Sequence, residues 1–386
     1  MSEKTSPVVK DTFVNRLLGR VTLSGWLALA APLLAIVFAA LVTGIVLAVT
    51  GNPPLETLEL MVEYGTQPRT MVLTLNSATL YYISALAVAL GFRMNLFNIG
   101  VDGQYRVAAI IAAAVGGAGL PLPGWLQALV ILAAAMATGA LWAAIAGLLK
   151  AYRGVSEVVS TIMLNYIATS LVAYLLVNVF GVAVAGSNNI GTKPIPEESR
   201  IPGLALIPGT ESKVFGLIIL AALLGIAFHV LLNRTRFGFD LRTTGLNQEA
   251  AVAGGVNVKR MVVIAMVISG GIAGLAGMPQ LMGASYSYSL DFPAGLGFTG
   301  IAIALLGRNN PVGIAFAAIL WGFLYNSAQI LDLHDVPTEI VEIMQGITVL
   351  SVVIAYELVH RYRIAAEQRK VSKELAAAPA PEGASK

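Results

Sequence analysis

Apolar residues run through this chain in long blocks, broken at intervals by short polar connections. A helix needs roughly 20 mostly apolar residues to cross a bilayer. Blocks that meet or approach that length predict spans at about 25–49, 70–92, 95–118, 125–149, 155–181, 214–233, 261–283, 311–331 and 339–358, with a shorter apolar stretch at 296–307. The fold expected is an all-α polytopic membrane protein of about ten transmembrane helices. Segment 1–24 is expected to be a cytoplasmic N-terminal segment, 25–358 the transmembrane domain and 359–386 a charged, Ala- and Pro-rich cytoplasmic tail. The first apolar run is too long for a secretory h-region and lacks a small-residue cleavage site, so it is expected to be an uncleaved span.

Two connections exceed a turn: 182–213, rich in Gly, Pro and Ser, and 234–260, which is basic. The stretch 296–307 is too short to cross as a helix and follows "GASYSYSLDFPAGLGF", which predicts a half-helix after a re-entrant loop. The segment at 95–118 likewise starts with a polar, Gly-interrupted portion. Broken helices in both halves point to a transport path between two inverted repeats. The internal repeat is faint in the residues, its best match being "LGFRMNLF" against "LGFTGIAI".

Composition supports the membrane reading: 57% of the 386 residues are hydrophobic and 12% charged, against about a quarter charged in soluble domains. Orientation follows from the basic residues. With both termini in the cytoplasm, the outer segments carry only Arg69, Lys193, Arg200 and Lys213, while Arg93, Lys150, Arg153, Arg234, Arg236, Arg242, Lys259, Arg260, Arg308 and both terminal segments fall inside. There is no cysteine, which excludes disulfides, thiol catalysis and thiolate-held clusters, and the three histidines are scattered. "GSNNIGTK", 186–193, imitates a phosphate loop but ends Gly-Thr-Lys and has no strand before it, so no nucleotide site is expected.

Three stretches carry candidate chemistry. "GFRMNLFNIGVDGQ", 91–104, sets Asn98, Asp102 and Gln104 at membrane depth, where non-helical backbone is tolerated only against protein or a water-filled cavity. Asp102 and Arg106, four apart, can pair. The functional reading is a path or gate; the structural alternative is helix capping and a self-neutralising pair. In "GVSEVVSTIMLNYIATS", 154–170, Asn165 and Tyr166 face either solute or a neighbouring helix. In "TTGLNQEAAVAGGVNVKR", 243–260, a short helix over Gln248–Ala253 is expected to end at Gly254–Gly255, suited to docking in a partner's groove; a surface-lying amphipathic helix is disfavoured because large apolar anchors are lacking. "SGGIAGLAG", 269–277, predicts close helix packing.

Together, "NLFNIGVDGQ", "SEVVSTIMLNYIA", "TTGLNQEAAVAGGVNVKR", "SGGIAGLAG" and "GFTGIAIALLGRNNPVG" resemble, in order over about 70–358, the membrane permease subunits of ATP-binding-cassette importers. The branch for simple sugars and nucleosides is most similar, with a relation to branched-chain amino-acid permeases. The resemblance implies a second permease subunit, homologous or identical, two cytoplasmic ATPase subunits and an extracytoplasmic solute-binding protein as partners, with no nucleic acid polymer. ATP and its hydrolysis would belong to the partner chain, and this chain would be no enzyme. Glu249, Ala250, Ala251 and Gly255 would form the coupling loop that touches an ATPase subunit. Asp102 departs from the Glu often found there in the family, and Arg106 from an apolar residue.

The expected function is translocation of a nucleoside, or a simple sugar such as ribose, across the bacterial cytoplasmic membrane, with Asn98, Asp102, Gln104, Asn165 and Tyr166 along the path. An ion-coupled secondary transporter is the alternative; it needs a mid-membrane relay, for which only Asp102, Arg106 and Glu157 are candidates.

Overall fold

A computed structural model describes residues 41–42, 44–183, 189–334 and 340–351, with isolated positions up to 368. The expected N-terminal segment, most of the first span and the C-terminal tail lie outside the described residues. The chain divides into two units: residues 1–54 with 342–386, and residues 55–341. In the first, residues 44–49 are helical, as is the described stretch from 342. The second unit holds the rest of the fold.

That unit is helical almost throughout. Its elements are α1 (Pro54–Gly65), α2 (Pro68–Arg93), α3 (Val101–Gly116), α4 (Gly124–Arg153), α5 (Glu157–Leu175), α6 (Ile218–Arg234), α7 (Arg236–Leu246), α8 (Gln248–Ala253), α9 (Val258–Gly274), α10 (Leu296–Leu306) and α11 (Pro311–Ser327). Helical backbone carries α5 on to Phe180, α9 to Ser285 and α11 to Leu331, and these three, with α2 and α4, are the five described helices long and apolar enough to span a bilayer. α6 and α7 form a pair bent by 72°. The predicted spans at 70–92, 125–149, 155–181, 214–233, 261–283 and 311–331 therefore each meet a helix.

α2 and α9 form the centre, each 72% buried over its most apolar window, whereas α4 and α5 are 22% and 28% buried. α9 lies along α4 with almost no side-chain spacer. A Cβ placed on Gly139 would collide with the Gly270 carbonyl, and one on Gly270 with the Gly139 carbonyl. Small residues let helix backbones approach closely in a membrane, so the packing expected of "SGGIAGLAG" is present.

A long helix, a non-helical linker and a shorter helix occur twice: α2, residues 94–100 and α3; then α9, residues 286–295 and α10. α10 has 11 residues, or about 16 Å of rise, and is the half-helix expected at 296–307. The two sequence stretches offered as the repeat do not occupy matching places. "LGFRMNLF" closes α2 and enters its linker, whereas "LGFTGIAI" lies inside α10.

The long connection after α5 is more ordered than its composition suggests. β1 (Gly181–Ala183) pairs antiparallel with β2 (Ile190–Thr192). β2 in turn clasps the second linker: Thr192 N–H donates to Tyr288 O at 2.9 Å, Tyr288 N–H to Thr192 Oγ1 at 3.0 Å, and Ile195 N–H to Tyr286 O at 2.7 Å. Gly191–Thr192 thus belong to a hairpin, not to a loop opening a helix.

Candidate translocation path and coupling segment

The break between α2 and α3 gathers four of the five residues expected along the path. Asn98 and Gln104, each 1% exposed, exchange side-chain hydrogen bonds of 3.1 and 2.9 Å. Asn98 also donates to Ser269 Oγ at 2.8 Å and accepts from Gly100 N–H at 3.1 Å. Ser269 hands its own proton to the Ala87 carbonyl at 2.7 Å. Asn165, reaching across from α5, accepts from Gly103 N–H and donates to Ile99 O, both at 2.9 Å. It sits eight residues into its helix, about 12 Å along the axis. The backbone break thus finds polar partners on α3, α5 and α9, the kind of internal satisfaction that non-helical backbone needs in a membrane.

Asp102 closes a second junction. It is 7% exposed, and its Oδ1 accepts from Gly297 N–H at 3.3 Å. Gly297 is in the first turn of α10, where free N–H groups and the helix dipole favour an anion. Ser84 fixes the same turn by donating to Leu296 O at 2.6 Å. The expected Asp102–Arg106 pair is present at 4.0 Å, the outer edge of contact. Arg106 also donates to Thr169 Oγ1 on α5 at 3.1 Å. Among the described residues the other buried carboxylate is Glu157, which pairs with Lys150 at 2.8 Å.

Tyr166 faces away from this cluster and is 71% exposed. Every fourth residue along the same helix repeats its character: Ser170, Tyr174 and Asn178 are polar and exposed, with Thr169 beside them. Residues four apart share a helix face. The spacing is readable in "NYIATSLVAYLLVN", although of these residues only Tyr166 is among those expected along the path.

The segment 234–260 is built from three helix starts, each closed by a side chain. Thr235 accepts from Gly238 N–H at 3.0 Å, Asn247 from Ala250 N–H at 2.9 Å, and Asn257 from Arg260 N–H at 3.0 Å. Between the last two lies α8, over the residues expected. It ends at Gly254, and Gly255 turns the chain with φ +86°. Ala251 is 1% exposed and seats the helix, while Glu249 and Ala250 face outward. Sequence reasoning found no large apolar anchors here. The structure presents three large apolar side chains on this segment, Leu246 at 88% exposure and Phe239 and Val252 at 61% each. A lone Leu before an Asn cap carries no periodic signal that would have singled it out.

The family model described as branched-chain amino acid transport system / permease component matches residues 70–353. The chain belongs to that family. Among curated relatives, this permease is 38% identical over 290 residues to the guanosine ABC transporter permease protein NupP of Bacillus subtilis (strain 168), covering 74% of this chain and 81% of that protein. It is 31% identical over 335 residues to the nucleoside ABC transporter permease protein NupB of Lactococcus lactis subsp. cremoris, covering 84% and 90%. It is 30% identical over 359 residues to the glucose ABC transporter permease protein TsgB13 of Haloferax volcanii, covering 89% and 92%. Asn98, Asp102, Asn165, the α5 stripe and α8 all lie within the matched region. The permease is an integral membrane protein by family and by its apolar helices.

Proposed function

We propose that this permease is the membrane subunit of an importer that carries a nucleoside along the exposed polar face of α5, driven by a separate cytoplasmic ATPase. The observation that carries the reading is the stripe Tyr166, Ser170, Tyr174 and Asn178, polar and exposed on a membrane-length helix. Tyr166 stands about 14 Å into that helix, too deep for an interfacial belt. Polar side chains at that depth face a bundle interior or a water-filled cavity. A second permease subunit facing α5 would complete such a cavity.

The groups along the stripe are uncharged, with Arg106 at its edge, and they suit a neutral polyhydroxylated solute. Two tyrosine rings offer flat faces on which a base can stack. Two of the relatives named above are described as guanosine or nucleoside permeases and one as a glucose permease, which ranks a nucleoside first and a simple sugar second. Asn98, Gln104 and Asn165 hold the wall from behind, with Asp102 at the junction with α10.

Coupling is assigned to α8, with Glu249, Ala250, Ala251 and Gly255, and with Leu246 and Val252 as its apolar contacts. An extracytoplasmic binding protein would deliver the solute. In this reading ATP binds the partner and both termini are cytoplasmic. An ion-coupled transporter is disfavoured because Asp102 and Glu157 are already held by Gly297 with Arg106 and by Lys150. The test is uptake of labelled guanosine, uridine, ribose and glucose by cells with and without the gene. Nucleoside uptake that depends on both the gene and ATP supports the reading; sugar uptake alone, or uptake collapsed by an ionophore with ATP intact, refutes it.

A further inference from the structure

α2, α6 and α11 enclose a groove of about 700 Å³. Its walls include Leu75, Ala222, Ile226, Ala315 and Phe316, with His229 at one end. Phe316 is 71% exposed and Ile226 61%, so the groove opens sideways. On a membrane-spanning bundle, a sideways opening with apolar walls is suited to an acyl chain of the bilayer.

The end of the groove marked by His229 and Pro311 is basic. Both Nε and Nη2 of Arg93 donate to Asn309 O, at 3.2 and 2.8 Å, two residues before Pro311. Arg242 donates to Leu232 O, about one helical turn beyond His229. Arg242 and Arg308 act electrostatically on Arg93, so three guanidinium groups converge there. Among the described residues, neither Arg93 nor Arg242 belongs to an ion pair. A guanidinium has five N–H donors, so these anchoring bonds leave donors for a further acceptor. Arg308 and Asn309 both have positive φ, 56° and 52°, a conformation costly for residues other than Gly, and this turn presents the exposed Arg308 beside the groove.

We propose that the groove and its arginine mouth form a site for one anionic phospholipid. An acyl chain lies against α2, α6 and α11, and the phosphate rests on Arg93, Arg242 and Arg308. Basic pockets between helices on the cytoplasmic side suit anionic headgroups. Continuity with a groove inside the bilayer favours a lipid over a carboxylate on a soluble partner, which could reach the arginines but not the apolar walls. The site is separate from α5 and α8 and does not depend on the solute carried.

The test is native mass spectrometry of the full-length chain in detergent. It is titrated with phosphatidylglycerol, with phosphatidylcholine of the same acyl chains, and with inorganic phosphate. The expected result is one retained phosphatidylglycerol, with weaker phosphatidylcholine binding and no displacement by phosphate. Replacing Arg242 and Arg308 together by Gln should weaken phosphatidylglycerol about thirtyfold, at about a fivefold loss for each charge. Ala222→Trp, which fills the groove, should weaken both lipids; Ala315→Phe, a smaller change, gives the same readout if the Trp variant aggregates. Equal binding of the two lipids, displacement by phosphate, or undiminished binding in a monodisperse groove variant would overturn the proposal. So would loss of ATPase co-purification in the arginine variant with lipid binding unchanged, since the arginines would then face a protein.

Discussion

Asp102 holds the first turn of α10, and its replacement separates two ideas of what the residue does. Its Oδ1 lies 3.3 Å from Gly297 N–H, while its nearest approach to Arg106 is 4.0 Å. Asp102→Leu leaves the Gly297 N–H without that acceptor in a buried site, a loss of about 1–3 kcal/mol. Losing an anion at a helix N-terminus adds up to about 1 kcal/mol, so the whole change is about 1–4 kcal/mol. Asp102→Asn keeps an acceptor oxygen and loses only the charge, at about 1 kcal/mol. Arg106 is not left stranded in that variant, because its side chain is 22% exposed and still donates to Thr169. Adding Arg106→Leu to Asp102→Asn should therefore recover little. The assay is the apparent melting temperature of each purified variant in detergent, beside its abundance in the membrane. At roughly 1 °C per kcal/mol for a chain of this size, Asp102→Leu should melt up to about 4 °C below Asp102→Asn. If the two variants melt together, and Arg106→Leu rescues the Asn variant, the ion pair governs the site and the helix-capping account is wrong.

Asn165→Ala should cost about 2–4 kcal/mol, because Gly103 N–H and Ile99 O both lose their partner at membrane depth; a melting temperature unchanged within a degree contradicts the clasp. Gly255→Ala meets no atom within 4 Å but takes up φ +86°, a strain of about 1–2 kcal/mol confined to the turn after α8. Membrane abundance should hold while ATPase co-purification falls, and normal co-purification and uptake would remove the turn from the coupling segment. The chain has no cysteine, so Glu198→Cys should react with an impermeant thiol reagent added outside intact cells and Glu249→Cys should not; the reverse pattern inverts the assigned topology.

Much of the helical plan is local and was readable. α8 spans Gln248–Ala253 because an Asn cap precedes it and two glycines follow, and both signals lie within nine residues. α2 covers Pro68–Arg93 against an expectation of 70–92 because an apolar run of that length has one stable form in a bilayer. What stayed hidden depends on partners distant in sequence. Asp102 and Gly297 are 195 residues apart, and nothing local to either announces the other. The pairing of β2 with residues 286–289 is hidden for the same reason, since the Gly and Pro content of 182–213 suggests only a loop. Within the broken helix, Asn98, Asp102 and Gln104 are expected to face the bundle interior, and all three are buried. The sequence could not tell that Asn98 and Gln104 are each other's partners. The α5 stripe was legible in principle, because its spacing of four is a local pattern.

The central claim is that the exposed polar face of α5 borders the solute path, and Ser170 tests it most directly. Ser170→Cys, the sole thiol in the chain, is treated with a charged, water-soluble methanethiosulfonate in membranes that contain the assembled importer, with and without saturating nucleoside. The account predicts modification of Cys at this position and slower modification when nucleoside is present. A thiol that never reacts, or reacts at the same rate with and without solute, would place Ser170 against lipid or a dry helix interface and contradict the claim.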